Sequence, residues 1–423
     1  MSDTMPYYSR SSAATLRRAL GSFPAVLVTG PRQTGKTTLL QQELAASHRY
    51  LSLERPDVRA RVRADPVAFL AENPPPLILD EIQQVPELLS FVKERIDASR
   101  RPGSYVLSGS QSFALMQGVT QSLAGRIAVL TLLPLSVGEA IVAPTLSIDE
   151  QLRRVFEPGA ASAVTSSGSP APRAAAFAPP DALDWIVRGG YPEPRLNPAV
   201  DRALWFASYV QSYLERDVRD LLKVGDLHDF SRFLALIAAA SGRLLNFSDL
   251  ARELGVSAPT AKRWLSVLEA SHVVTQLRPW HENFGKRLTK APKLIFHDPG
   301  LAAWLLGLHQ REALQAGPSF GALFETAVAG EWLKAFHHAG EPPALHHWRS
   351  SGGLEVDLVL ERDGRLYAIE TKATATPTPR HAEGLAKWLA LAGPRARGVV
   401  ACRVESPVTL APGIRAVPWH LAW

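Results

Sequence analysis

Residues 30–37 read Gly-Pro-Arg-Gln-Thr-Gly-Lys-Thr, a spacing of glycine, ammonium and hydroxyl suited to wrapping a chain of phosphates. Gly30 and Gly35 let backbone N–H groups turn inward around an anion, Lys36 reaches the β- and γ-phosphates, and the Thr37 hydroxyl can ligate Mg²⁺. Pro31, Arg32, Gln33, Thr34 and Thr38 complete the nucleotide-binding stretch. A helix starting at Thr37 would add its positive end to the site.

A second group supplies the acids that such a loop needs. Leu77-Ile-Leu-Asp80-Glu81 is an apolar run ending in two carboxylates. Asp80 is suited to hold Mg²⁺ through water, and Glu81 to polarise the water that attacks the γ-phosphate of ATP. Ser110 and Gln111 follow another apolar run and are candidate γ-phosphate sensors. Arg126, in Leu-Ala-Gly-Arg-Ile, is a candidate for stabilising transition-state charge in its own subunit or, in a homo-oligomer, a neighbour's. A structural salt bridge is an equally good reading of Arg126.

A third group lies near the other end of the chain. Glu355-Val-Asp357 and Glu370-Thr-Lys372 flank an Asp-Gly pair at 363–364, which reads as a hairpin with apolar strands on both sides. Residues two apart on a strand share a face, so three acids and a lysine can converge there. Asp357 and Glu370 could hold one or two Mg²⁺ ions beside a phosphodiester, with Lys372 orienting water or stabilising charge. Glu325 could join from a preceding amphipathic helix.

The elements that must position these groups can be read from the apolar pattern. Ala25 to Thr29, Leu77 to Asp80 and Tyr105 to Ser108 are continuous apolar strands ending in polar residues, as strands buried on both faces of a parallel sheet should be. Ligands of such sheets sit beyond the carboxyl ends of the strands, so those polar ends line one crevice. Residues 159–180 are rich in Gly, Ala, Ser and Pro and read as a linker. From 181 to about 308 the pattern is mainly helical. Ser248–Leu254, Gly255 and a second helix capped by Ser257 form a helix-turn-helix pattern that leaves Thr260, Lys262 and Arg263 outward. Arg278, Lys286, Arg287, Lys290 and Lys293, with Trp280 and Phe284, read as the basic wing of a winged-helix domain that could meet DNA.

Composition bounds the rest. The chain has 423 residues, of which 46% are hydrophobic and 20% charged, enough for two or three domains with real cores. A net charge of +6 permits nucleic-acid contact without requiring it. One cysteine, Cys402, excludes an internal disulfide framework and fits a reducing compartment. With no secretory signal and no apolar run long enough to span a bilayer, a cytoplasmic protein without membrane contact is expected.

The set Gly-Pro-Arg-Gln-Thr-Gly-Lys-Thr-Thr-Leu, Leu-Asp-Glu-Ile-Gln, Leu-Ser-Gly-Ser, Leu-Ala-Gly-Arg and Leu-Pro-Leu-Ser resembles the AAA-type ATPase family common in bacteria and archaea, over roughly residues 10 to 140. Asp357 with Glu370-Thr-Lys372 resembles the restriction-endonuclease-like, PD-(D/E)XK nuclease superfamily, although Val356 stands where a proline often precedes the aspartate. Taken whole, the chain looks like the AAA ATPases that carry a C-terminal domain of unknown function. The resemblance implies an α/β protein in parts. A P-loop ATPase domain with a parallel sheet (1–142) precedes a low-complexity insertion (143–180), a helical and winged-helix region (181–310) and an α/β restriction-endonuclease-like domain (311–423). Two functions are open: an ATPase controlling a nuclease-like module on DNA, and an ATP-dependent switch that binds a protein or nucleic acid without cutting it.

Overall fold

The computed structural model describes residues 7–110, 122–159, 180–214, 227–281 and 291–422. Most of the linker, Gln111 and the wing residues Phe284, Lys286, Arg287 and Lys290 lie outside the described residues. The chain divides into two compact units: Met1–Leu135 with Ala270–His272 and His337–Glu341, and Ser136–Glu269 with Val273–Phe336 and Pro342–Trp423.

The first unit is built on a parallel sheet of β1 (Ala25–Thr29), β2 (Arg49–Ser52), β3 (Leu77–Asp80), β4 (Tyr105–Ser108) and β5 (Ile127–Thr131), in the order β2-β3-β4-β1-β5. The three inner strands are those that the apolar runs predict, and every residue in them is buried. The edge strands β2 and β5 are each partly exposed, and β2 shows no continuous apolar run. Alternation along the inner strands divides the core. Ala25, Leu27, Leu77, Leu79 and Leu107 pack on one side with helix Leu88–Ala98. Val26, Val28, Ile78 and Val106 pack on the other with Leu16, Leu39 and Leu40. Helix α1 (Lys36–Leu44) starts at the carboxyl end of β1 and carries Leu39 and Leu40 into that second layer.

In the second unit, α2 (Phe247–Leu254) ends at Gly255 in the left-handed conformation, φ 71°. The next helix, α3 (Ala258–Ala270), is capped by Ser257, whose Oγ accepts from Thr260 N at 3.2 Å. It buries Ala261, Trp264, Leu265 and Leu268 and leaves Lys262 and Arg263 exposed. Antiparallel β6 (Val274–Leu277) and β7 (Lys293–Phe296) follow as the wing strands. The reading of the wing as a solvent-facing basic surface needs correcting at two described positions. Trp280 is buried in the C-terminal core and donates from Nε1 to Glu361 Oε2 at 2.9 Å. Lys293 is 1% exposed, as deep in the fold as its neighbours Leu294 and Ile295.

Helix α4 (Phe320–Ala339) leads into a six-stranded sheet of order β12-β13-β11-β10-β9-β8. β8 (Leu345–Arg349), β9 (Glu355–Arg362) and β10 (Arg365–Thr371) form an antiparallel meander. The β9–β10 turn is the predicted Asp-Gly pair, with φ 49° at Asp363 and 74° at Gly364, the two positive values a tight hairpin turn requires. Helix α5 (Glu383–Ala392) then crosses to β11 (Ala396–Cys402), parallel to β10. β12 (Val408–Ala411) and β13 (Ile414–Pro418) complete the far edge.

Candidate functional site

At the head of β1 the backbone itself is specialised. Gly30 has φ 137°, and a Cβ there would lie 2.2 Å from the Leu132 carbonyl oxygen, so only glycine fits between the loop and the chain leaving β5. Gly35, at φ 86°, turns the chain into α1. Thr34 is fully buried and donates from Oγ1 to Pro31 O at 2.9 Å. Arg10, itself buried, donates to Thr34 O and to Leu133 O, both at 2.7 Å, and so braces the loop from upstream. The Lys36 ammonium is held across the loop, 3.1 Å from Gly30 O and 2.8 Å from Pro31 O. Pro31 is buried, Arg32 is half-buried, and Gln33 and Thr38 are exposed.

Asp80 is the hub beside this loop. Its Oδ2 accepts from Thr37 Oγ1 at 2.9 Å and from Tyr50 OH at 2.6 Å, while Oδ1 accepts from Ser108 Oγ. Bound to Asp80, the Tyr50 hydroxyl is pushed far above its ordinary range by burial and by that carboxylate. Thr37 and Asp80 thus sit side by side as a hydroxyl and a carboxylate, the hard oxygen donors that Mg²⁺ prefers, and the pair fits that ion. Glu81 follows in the left-handed region, φ 58°, a conformation costly for a side chain with a Cβ and frequent at functional sites. Burial raises the Glu81 carboxyl above the usual range, and Lys36 works against that rise. Gln83 Nε2 donates both to Glu81 and, at 3.1 Å, to Ser110 Oγ, so one amide ties the candidate base to the candidate sensor. Gln83 and Ser108 lie within the quoted Leu-Asp-Glu-Ile-Gln and Leu-Ser-Gly-Ser motifs, although neither motif announces its bond, while Tyr50 and Arg10 give no signal in the sequence.

Arg126 is not brought to this group. Its carbonyl accepts from Ala25 N at 3.2 Å, which fixes it at the amino end of the sheet, opposite the phosphate loop. Its guanidinium grips Asp97 twice, at 2.5 and 3.1 Å.

The C-terminal residues do come together. Asp357 Oδ2 accepts from both Thr371 N and Thr371 Oγ1 at 2.8 Å, which locks the aspartate to β10. Lys372 Nζ lies 2.6 Å from Glu370 Oε1, whereas Glu370 Oε2 is buried with no hydrogen-bond partner among the described residues. Burial, and next to it the charge of Asp357, push the Glu370 carboxyl up to about 7. Glu325 is buried on α4, and burial followed by Asp357 holds its carboxyl well above the usual range. Lys293 reaches Glu325 Oε1 at 2.6 Å, Glu355 Oε1 at 2.9 Å and Asp357 Oδ1 at 3.3 Å. Burial disfavours its charge, but Glu325, Asp357 and Glu355 together hold it above the ordinary lysine range. With one oxygen of Asp357 given to Thr371 and the other to an ammonium, this arrangement does not fit Mg²⁺ as it stands. Among the described residues, no helix is long and apolar enough to cross a membrane.

Three family models match successive stretches of the chain: an AAA domain at residues 22–141, a domain of unknown function (DUF8612) at 180–312 and another (DUF4143) at 320–422. Uncharacterized proteins of Mycobacterium bovis and Mycobacterium tuberculosis are each 34% identical over 370 residues, covering 87% of this chain and 75% of theirs. Among solved structures, a Walker-type ATPase of Pyrococcus abyssi matches with 16% identity and a TM-score of 0.38, over 71% of this chain and 96% of that one. The RuvB Holliday junction branch migration motor of Thermotoga maritima matches with 19% identity and a TM-score of 0.29, over 63% and 88%. By its identity to the mycobacterial proteins across most of both chains, this chain belongs to their family, and its nucleotide-loop unit carries an AAA domain.

Proposed function

We propose that the chain is a Mg²⁺-dependent ATPase that works as a switch on the winged-helix and α/β modules following it. The observation that carries this reading is the side-by-side placement of Thr37 and Asp80 at 2.9 Å, beneath a glycine loop crossed by Lys36. Thr37 and Asp80 would hold the ion, which supplies charge neutralisation at the phosphates when bound. The loop N–H groups and Lys36 bind and orient the triphosphate. Glu81, aimed by its backbone and by Gln83, takes the proton of the attacking water, and Ser110 reports on the γ-phosphate through the same amide. Arg126 would act only from a neighbouring copy, since in its own subunit it stands at the wrong end of the sheet.

The test is nucleotide binding and turnover on the purified chain. Lys36→Ala should lose ATP binding, and an unchanged affinity in a titration would overturn the site. For the output, exposed Lys262 and Arg263 on α3 support contact with duplex DNA. Such binding should weaken with rising salt and fall in Lys262→Ala/Arg263→Ala. Binding that survives the double substitution would exclude this module. The αβββαβ order of α4, β8 to β10, α5 and β11 supports a restriction-endonuclease-like fold for the C-terminal part, with Asp357, Glu370 and Lys372 at its nuclease-like position.

A further inference from the structure

The restriction-endonuclease-like resemblance implies a divalent metal among Asp357, Glu370 and their neighbours, and the residues present disagree with it. A lysine ammonium has three donors. The Lys293 Nζ lies among three carboxylates from two elements, Glu325 on α4 and Glu355 and Asp357 on β9, at 2.6, 2.9 and 3.3 Å, and donates to Glu325 and Asp357. Those distances suit N–H···O contacts, whereas Mg²⁺ requires oxygens at about 2.0–2.1 Å. The Lys293 side chain is only 2% exposed, so it is a fixed part of the interior and not a surface residue that has fallen into the pocket. The remaining oxygen of Asp357 is spent on Thr371, and one oxygen of Glu370 on Lys372. A divalent ion entering here would meet a buried positive charge at the point where the acids converge.

We propose that Lys293 is a tethered cation occupying the metal's place, so that the native pocket takes no divalent ion and becomes a divalent-cation site only when that ammonium is removed. The arrangement also has a mechanical side. β7, which carries Lys293, lies in the stretch 180–312, while the acids belong to 320–422. The lysine therefore joins the wing strands to the α/β module through charge. This inference does not depend on the ATPase reading, since none of its residues takes part in nucleotide binding.

The experiment uses the nucleotide-free full chain, with Mn²⁺ as the probe, in calorimetric titration and in thermal melting. Wild type and Asp357→Asn should show the same Mn²⁺ binding and the same melting with and without the ion. Lys293→Met, which keeps the length but not the charge, should melt lower, gain one Mn²⁺ site at least about ten-fold tighter than anything in wild type, and recover its melting temperature with the ion. The gain should vanish in Lys293→Met/Asp357→Asn. Mn²⁺ binding by wild type that Asp357→Asn abolishes would overturn the proposal, as would a folded Lys293→Met that gains no site. Should Lys293→Met fold only with Mn²⁺ present, that is the expected rescue in its extreme form. Should it not fold at all, the wild-type and Asp357→Asn pair decides alone: equal titrations uphold the proposal and a difference refutes it.

Discussion

Thr37 Oγ1 donates to Asp80 Oδ2 across 2.9 Å, joining the first turn of α1 to the carboxyl end of β3. The two residues are 43 positions apart in sequence, and this single bond aligns the phosphate loop with the acidic strand end. Glu81, the next residue, is thereby held beside the loop and close enough to Lys36 to feel its charge.

Glu81→Gln should keep ATP affinity while lowering the hydrolysis rate by about 10²–10⁴-fold, the usual worth of a positioned general base. Lys36→Ala should instead weaken ATP binding on the order of 10²-fold, as loss of charge-assisted contacts to phosphate implies. Binding titration and phosphate release on the same preparations separate the two effects. Equal turnover by Glu81→Gln and wild type would remove Glu81 from its role.

Gly30→Ala should be as damaging as Lys36→Ala, and for a different reason. The new methyl would meet the Leu132 carbonyl oxygen at 2.2 Å, and backbone on both sides leaves nothing flexible to yield. Lost ATP binding together with a lowered melting temperature is expected. A variant with wild-type melting and affinity would contradict the geometry.

Glu331 and Lys334 form a fully buried ion pair, 2.7 Å apart, with Glu331 Oε2 also accepting from Val137 N at 2.8 Å. Lys334→Met leaves a buried carboxylate uncompensated and should cost about 3–5 kcal/mol. Adding Glu331→Gln removes the stranded charge but keeps an acceptor for Val137, so the double variant should be more stable than the single one in denaturant unfolding.

His347 is buried, with its pKa lowered to about 4, chiefly by burial and next by Lys293. Its folded value lies below the unfolded one, so the unfolded chain binds the extra proton first as pH falls. The stability it contributes is complete above about pH 6.5 and is lost progressively toward pH 4, roughly 3 kcal/mol over that window. Melting measured at pH 7 and pH 5 should show a smaller drop for His347→Gln than for wild type.

The sequence made the central sheet readable because β1, β3 and β4 are buried on both faces and so are apolar without a break. The phosphate loop was equally plain, since phosphate binding constrains consecutive residues. What escaped were partners supplied from a distance. Tyr50 reaches Asp80 from an edge strand, and nothing in Arg49–Ser52 announces that task. In sequence Lys293 reads with the surface cations of the wing because Lys286, Arg287 and Lys290 precede it within seven residues. Its actual surroundings, Glu325, Glu355 and Asp357, lie 32 to 64 positions away. Charge read along a sequence cannot show which ammonium is turned inward, because that depends on carboxylates brought by other elements.

Arg10 adds a practical corollary. The stretch of the chain that matches the AAA domain starts at residue 22, yet two bonds that fix the loop at Thr34 and Leu133 originate twelve residues earlier. A fragment trimmed to residues 22–141 would retain every residue of the nucleotide signature and still lose the clamp that shapes it. Weak ATP affinity in such a fragment would then report on a missing strut upstream and not on the chemistry of the loop.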